Sequence, residues 1–231
     1  MTSNLSLGEQ TVRRNIPAGL IDDARKHVYE AAIRTPLVRL NYDGPAEIYL
    51  KLECLQPIGS FKIRGAYNAV RLLPEEQRRY GVWTVSAGNA AQGVALAARK
   101  AGVPCKVLVM DTAPATKLDA ARRLGAEIVM ATFDECWTAL AERTHPAMDG
   151  TFVHPFEDDE FIAGNASCGL EILEDLPDVG AVVAAFGGGG LSCGIAALYG
   201  LPARAHSKSR CALFIACISG RNDHSSTLAR R

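Results

Sequence analysis

The chain has 231 residues, 48% of them hydrophobic, enough to bury a core in one large or two small domains, which excludes disorder throughout. Lysine plus arginine balance aspartate plus glutamate at 25 each, leaving no net field to recruit nucleic acid or an anionic membrane; a small neutral metabolite suits that balance better. The seven cysteines, at 54, 105, 136, 168, 193, 211 and 217, never form a CxxC pair and read as reduced core or pocket-wall residues, not as a disulfide framework or a metal site. The opening MTSNLSLGEQTVRR has no apolar signal core, and no apolar run approaches the roughly 20 residues of a spanning helix. A soluble cytoplasmic protein is therefore expected. Leu20 to Ile33 reads as a helix charged on one side and broken by Thr35-Pro36. Glu47 to Glu53, EIYLKLE, alternates as a strand with lysine and glutamate on its wet face. Gln56-Pro57-Ile58-Gly59 then turns the chain, and Ser60 is placed to cap a helix carrying FKIRGAYNAVRLL.

From residue 81 strands and helices alternate: strand VWTV, helix Asn89 to Ala101, strand CKVLVM, helix Ala115 to Leu124, strand EIVMA, helix Phe133 to Arg143. This βα series predicts an α/β fold with a mostly parallel sheet and helices on both faces. Gly81, Gly102 and Gly125 fall at helix exits, where glycine accepts the left-handed conformation. Strand TFVH, a helix from about Asp159 to Leu176, strand AVVAAF, the GGGG run and a helix to Tyr199 follow. Two α/β lobes are expected, with a cleft at the C-terminal ends of the strands. From Gly200 on, six basic residues stand against one acidic, and only CALFIACI at 211–218 has strand or short-helix character.

Three segments carry candidate chemistry. Gly187-Gly188-Gly189-Gly190 lets successive backbone amides converge on an anion at a helix start; its other reading is a flexible turn. The SAGNAAQG loop offers Ser86, Asn89 and Gln92 as hydrogen-bonding side chains and early helix amides for a carboxylate, or is simply a helix cap. Lys62, two residues past Ser60, can form an imine with an aldehyde if its surroundings favour the neutral amine, although a lysine near a helix start is usually solvated.

Taken together, KLECLQPIGSFKIRGA, SAGNAAQG, AGNASCGLEIL and FGGGGLSCGI closely resemble the serine/threonine dehydratases of the pyridoxal 5'-phosphate fold-type II family, over roughly residues 20–199. The resemblance implies a tryptophan synthase β-like fold of two open parallel-sheet lobes, with residues 1–55 and 156–199 forming a large cofactor domain and 56–155 a smaller α/β domain. It also implies that the large domain is C-terminally incomplete, with 200–231 an atypical basic tail. By the same resemblance Lys62 holds the cofactor and acts catalytically, Phe61 lines its pocket, Asn89 bonds its 3-hydroxyl, and Gly187, Gly188, Gly189, Gly190 and the Leu191 amide hold its phosphate. The loop of Ser86, Ala87, Gly88, Asn89, Ala90 and Gln92 then receives the substrate carboxylate. The implied reaction is β-elimination of L-threonine or L-serine, or a similar small 3-hydroxy amino acid, to a 2-oxo acid and ammonia. No metal-ligating residue is assigned, the divalent-cation site of some members falling in the missing part, and dimerisation, common in the family, leaves a homodimer open.

Departures from the family pattern leave other outcomes open. Ala90 stands where SAGNHAQG has histidine, leaving room for a bulkier 3-hydroxy amino acid, and Asn165 and Ser167 replace residues of AGQGT, which is expected to alter the pocket wall. Ala87 occupies the place of the second proton-transfer serine of some racemases in the family, which favours a lyase over a racemase. An inactive truncated protein of the same fold is the remaining alternative.

Overall fold

The computed structural model describes residues 16–44 and 47–198, together with the backbone of 210–213. Helix α1 (Ala18–His27) and a 3₁₀ turn (Val28–Glu30) lead into the antiparallel pair β1 (Leu37–Arg39) and β2 (Glu47–Lys51). A second 3₁₀ turn (Glu53–Leu55) and the turn closed by the Gly59 amide on the Gln56 carbonyl deliver α2 (Lys62–Leu72). There follow α3 (Glu75–Arg78), β3 (Val82–Val85), α4 (Asn89–Ala101), β4 (Cys105–Met110), α5 (Ala115–Arg123), β5 (Glu127–Ala131), α6 (Phe133–Glu142) and β6 (Thr151–Phe152). The remaining described elements are α7 (Asp159–Asp175), β7 (Ala181–Val183), α8 (Gly190–Leu198) and β8 (Arg210–Leu213).

The strands form two four-stranded sheets. One, in the order β5-β4-β3-β6, is wholly parallel; the other, β1-β2-β8-β7, is parallel except for β1. The α/β reading from the βα alternation therefore holds, with one antiparallel edge strand added. Gly81, Gly102 and Gly125 have φ of 90°, 69° and 95°, as their positions at helix exits require. The strand at 210–213 begins one residue ahead of the apolar segment read as strand or helix; the rest of that segment lies outside the described residues.

Several boundaries and one face differ from expectation. The first helix stops at His27, and the tighter turn after it buries Val28 and carries the Tyr29 hydroxyl to Glu171. Strand TFVH shortens to Thr151–Phe152 because β6 pairs with β3 only opposite Val82 and Trp83, after which His154-Pro155 leaves the sheet at a residue with no N–H. Strand AVVAAF shortens to Ala181–Val183 because its pairing with β8 ends at Val183; Phe186 is 83% exposed. The largest correction concerns Lys51 and Glu53. Neither lies on a wet face: both are fully buried.

Their burial is explained by an ionic cluster centred on Arg64, which is 0% exposed. Its Nε and Nη2 donate to the two carboxylate oxygens of Glu53 at 2.8 and 2.7 Å, and Nη1 and Nη2 donate to those of Glu171 at 2.6 and 3.0 Å. Lys51 Nζ donates to Glu171 and to the Thr35 carbonyl, both at 2.6 Å, and the Thr35 hydroxyl donates to Glu53. Two cations and two anions thus cancel, with their hydrogen-bonding positions filled by neighbours. Burial pushes the Glu171 carboxyl up, but Arg64 and Lys51 outweigh it and hold Glu171 below the usual carboxylate range.

Around this cluster, α2 is clamped between α4 and α7 by residues that lack side chains. A Cβ on Gly65 would lie 2.5 Å from the Phe161 carbonyl oxygen, and one on Gly164 would lie 2.8 Å from the Gly65 Cα. On the other flank, a Cβ on Gly93 would press to 3.1 Å on the Lys62 carbonyl oxygen. Alanine-rich α4, with Ala90, Ala91, Ala95, Ala97 and Ala98 buried, permits the same close approach.

Replacing Arg64 with Met strands two buried carboxylates, so we expect a loss of about 3–5 kcal/mol in urea unfolding. Because Glu171 is held below its unfolded value, its contribution is present above pH 4.5 and disappears as pH falls through the folded value. The stability gap between wild type and Glu171→Gln should accordingly narrow with acidification; a gap that stays constant would contradict the arrangement.

Candidate active site

Three connections leave the C-terminal ends of parallel strands and meet the start of α2, as a ligand crevice in an α/β sheet requires. They are the β3–α4 loop, the segment after β6 and the β7–α8 loop. Between them lies a cavity of about 360 Å³, within the range of small-molecule sites.

The α2 side of the cavity is made by Ser60, Phe61 and Lys62. Ser60 Oγ accepts the Lys62 N–H at 3.3 Å, but the helix begins at Lys62 with Phe61 as its preceding residue, so Ser60 shapes the turn and does not cap the helix as the sequence suggested. Lys62 Nζ donates to the Pro155 carbonyl at 2.7 Å and lies 5.4, 5.3 and 6.0 Å from the ring centres of Phe61, Phe161 and Phe156. Burial among these rings, without a paired carboxylate among the described residues, lowers its pKa to about 8. By that value about a tenth of the amine is neutral at pH 7, against well under a thousandth for a free lysine.

The starts of α4 and α8 supply the opposite electrostatics. A helix leaves its first amides without intrahelical acceptors and carries partial positive charge there. Asn89 and Ala90 bring one such terminus to the cavity; Gly190 and Leu191 bring the other. Ser86 Oγ accepts the Gly88 N–H at 3.1 Å, which shapes the turn into α4. In the tetraglycine run, Gly189 has φ of 84°, and a Cβ on Gly188 would fall 2.5 Å from Cδ1 of Phe156. A Cβ on Gly190 would lie 3.0 Å from the Phe156 carbonyl oxygen. This loop must therefore be glycine twice over, for conformation and for space.

Of the residues singled out from sequence, Phe61, Lys62, Ser86, Asn89, Ala90, Gly187, Gly188, Gly189, Gly190 and Leu191 line this one cavity. Ala87, Gly88 and Gln92 do not. Ala87 packs toward the core, Gly88 precedes α4, and Gln92 lies within its first turn, donating its N–H to the Gly88 carbonyl. Asn165 and Ser167 are likewise not on the wall: both are buried in α7, where Ser167 Oγ accepts from Arg64 and donates to the Gly164 carbonyl. Sequence reasoning missed Pro155 and Phe156. Their place directly after a parallel strand is the signal that would have found them. Among the described cysteines all five thiols are free, and Cys193 is exposed. No described helix is long and apolar enough to cross a membrane.

Comparison with known proteins supplies a family. Residues 28–220 match the family described as "Pyridoxal-phosphate dependent enzyme". The L-threonine ammonia-lyase of Thermotoga maritima is 52% identical over 151 residues, covering 64% of this chain and 37% of that protein. The structure of a processed threonine deaminase isoform 2 from Solanum lycopersicum superposes with a TM-score of 0.69 at 34% identity, covering 86% of this chain and 58% of that one. A pyridoxal 5'-phosphate-dependent aspartate racemase gives a TM-score of 0.73 at 29% identity, covering 86% of this chain and 62% of that one. The chain spans about half or less of the length of the curated relatives it matches.

The geometry predicts how Lys62 titrates in the unliganded chain. Reductive methylation followed by mass spectrometry should give Lys62 a midpoint near pH 8. Between pH 8 and 10.5 the unfolded chain keeps a proton that the folded chain has lost, so wild type should gain stability relative to Lys62→Met as pH rises through that window. A Lys62 midpoint at about 10.4, the value of a free lysine, would contradict the desolvated placement.

Proposed function

Because the chain belongs to the family of pyridoxal-phosphate-dependent enzymes, we propose that Lys62 is its cofactor lysine and that the reaction is β-elimination of L-threonine or L-serine to a 2-oxo acid and ammonia. The observation that carries this reading is the convergence in one cavity of a desolvated lysine amine and two helix starts. The residues present fit the group. A partly neutral amine suits an aldehyde, the side-chain-free Gly187–Gly190 run at the start of α8 suits a phosphate, and Asn89 offers an amide to a ring hydroxyl.

When bound, pyridoxal phosphate supplies an aldehyde for covalent attachment and an electron sink for charge released at the substrate α-carbon. Lys62 would anchor the cofactor and, when free of it, its Nζ would take the α-proton of the substrate. Its lowered pKa serves both roles, since attachment and proton abstraction each begin from the neutral amine. Ser86, Asn89 and Ala90, at the start of α4, receive the substrate carboxylate, and the helix terminus favours its charge. Phe61 and Phe156 wall the cavity with apolar surface, which excludes water and keeps the amine desolvated.

The test is an absorption spectrum of the purified chain after incubation with pyridoxal phosphate and gel filtration, beside Lys62→Ala. We expect a retained visible band in wild type that is lost in the variant, and 2-oxo acid formation from L-threonine or L-serine that depends on Lys62. No retained band would overturn the cofactor assignment. A retained band without 2-oxo acid would overturn the lyase assignment, and α-proton exchange would then test for racemisation.

A further inference from the structure

We propose that His154 is a positioning residue for this site: through one ring nitrogen it holds the turn that seats the Lys62 amine and presses Phe156 onto the glycine loop. The role in catalysis rests on the reading of Lys62 as the cofactor lysine.

His154 is 2% exposed, follows β6, and does not line the cavity. Its Nδ1 accepts the Glu157 N–H at 3.0 Å and the Phe156 N–H at 3.4 Å. A ring nitrogen that accepts N–H donors carries no proton, so the neutral ring bears its hydrogen on Nε2, which lies 3.3 Å from the Glu157 carboxylate. The ring meets Phe156 edge-on at 4.6 Å and 89°, and Phe152 on its other side at 5.7 Å and 79°. The backbone N–H of His154 donates to Asp158, the residue before α7, at 2.6 Å. The five-residue turn from 154 to 158 is thus closed onto its own first residue.

Two groups fixed by that turn belong to the site. The Pro155 carbonyl takes the Lys62 amine at 2.7 Å, and the Phe156 ring occupies the space that a side chain at Gly188 would need. Moving the turn therefore moves the resting place of the reactive amine and the support of the glycine loop together. Because the ring reaches the cavity only through its neighbours, substitution should act on the reactivity of Lys62 through the lost acceptor more than through lost bulk.

Two substitutions separate those effects. His154→Phe keeps a ring between Phe152 and Phe156 but offers no acceptor; His154→Asn loses the ring but can present Oδ1 to amides two and three residues on. The readout is the extent of reductive methylation of Lys62 in the unliganded 231-residue chain at pH 7, by mass spectrometry, with the visible pyridoxal phosphate band measured in parallel. Releasing the Pro155 carbonyl removes an acceptor that favours the charged amine, so His154→Phe should raise Lys62 methylation at least about threefold. His154→Asn should stay within about twofold of wild type. Unchanged methylation in His154→Phe, or equal behaviour of the two variants, would overturn the proposal. If His154→Phe does not fold, His154→Asn decides alone: a change of about threefold or more relative to wild type overturns the role, and wild-type methylation supports it. If even wild type retains no pyridoxal phosphate, the cofactor reading falls while the methylation contrast still decides on His154.

Discussion

The bidentate clasp of Arg64 by Glu53 and Glu171 is the interaction on which the rest of the described structure depends. It ties the turn after β2, the helix carrying Lys62 and the long helix α7 at one buried point. A buried ion pair is a weak source of net stability compared with apolar packing, because desolvation offsets much of the attraction. Its geometric effect is larger. A planar guanidinium with all its donors engaged tolerates little rotation or sliding, so α2 has one register against α7. The glycines at 65, 93 and 164 act in the same sense, since helices that approach this closely cannot shift without steric collision.

Much of the scaffold was legible in the sequence because its signals are local. Alternating apolar runs and glycine exits located β3 to α6 almost to the residue, and the turn at Gln56–Gly59 came from proline and glycine chemistry. What stayed hidden depends on partners distant in the chain. Lys51 and Glu53 read as wet-face charges because nothing local reveals that Arg64 and, more than a hundred residues on, Glu171 close the cluster.

The site divides along the same line. Lys62 and the glycine run could be singled out because each has a distinctive local chemistry, and the resemblance of their flanking motifs supplied roles. Pro155 and Phe156 carry no such mark; their importance comes from the point at which the chain leaves β6, beside the other strand ends. Likewise, the departures at Asn165 and Ser167 looked like changes to a pocket wall but fall on the buried face of α7, with Ser167 bonded to Arg64. A substitution near a motif thus bears on support rather than on substrate when the helix turns it inward.

Helix α2 also separates two electrostatic requirements that would conflict if they met. Residues two apart on a helix point roughly 200° from one another, so Lys62 and Arg64 emerge on nearly opposite sides. On one side, two carboxylates and a set of neutral acceptors keep a guanidinium permanently charged in the core. On the other, aromatic rings and a single carbonyl surround an amine and depress its affinity for the proton. Had Glu53 or Glu171 faced Lys62, their charge would have held the amine protonated and unreactive. The order of residues in SFKIRGA therefore does more than place a lysine: it lets the same helix be anchored by charge on one face and hold an amine of lowered proton affinity on the other.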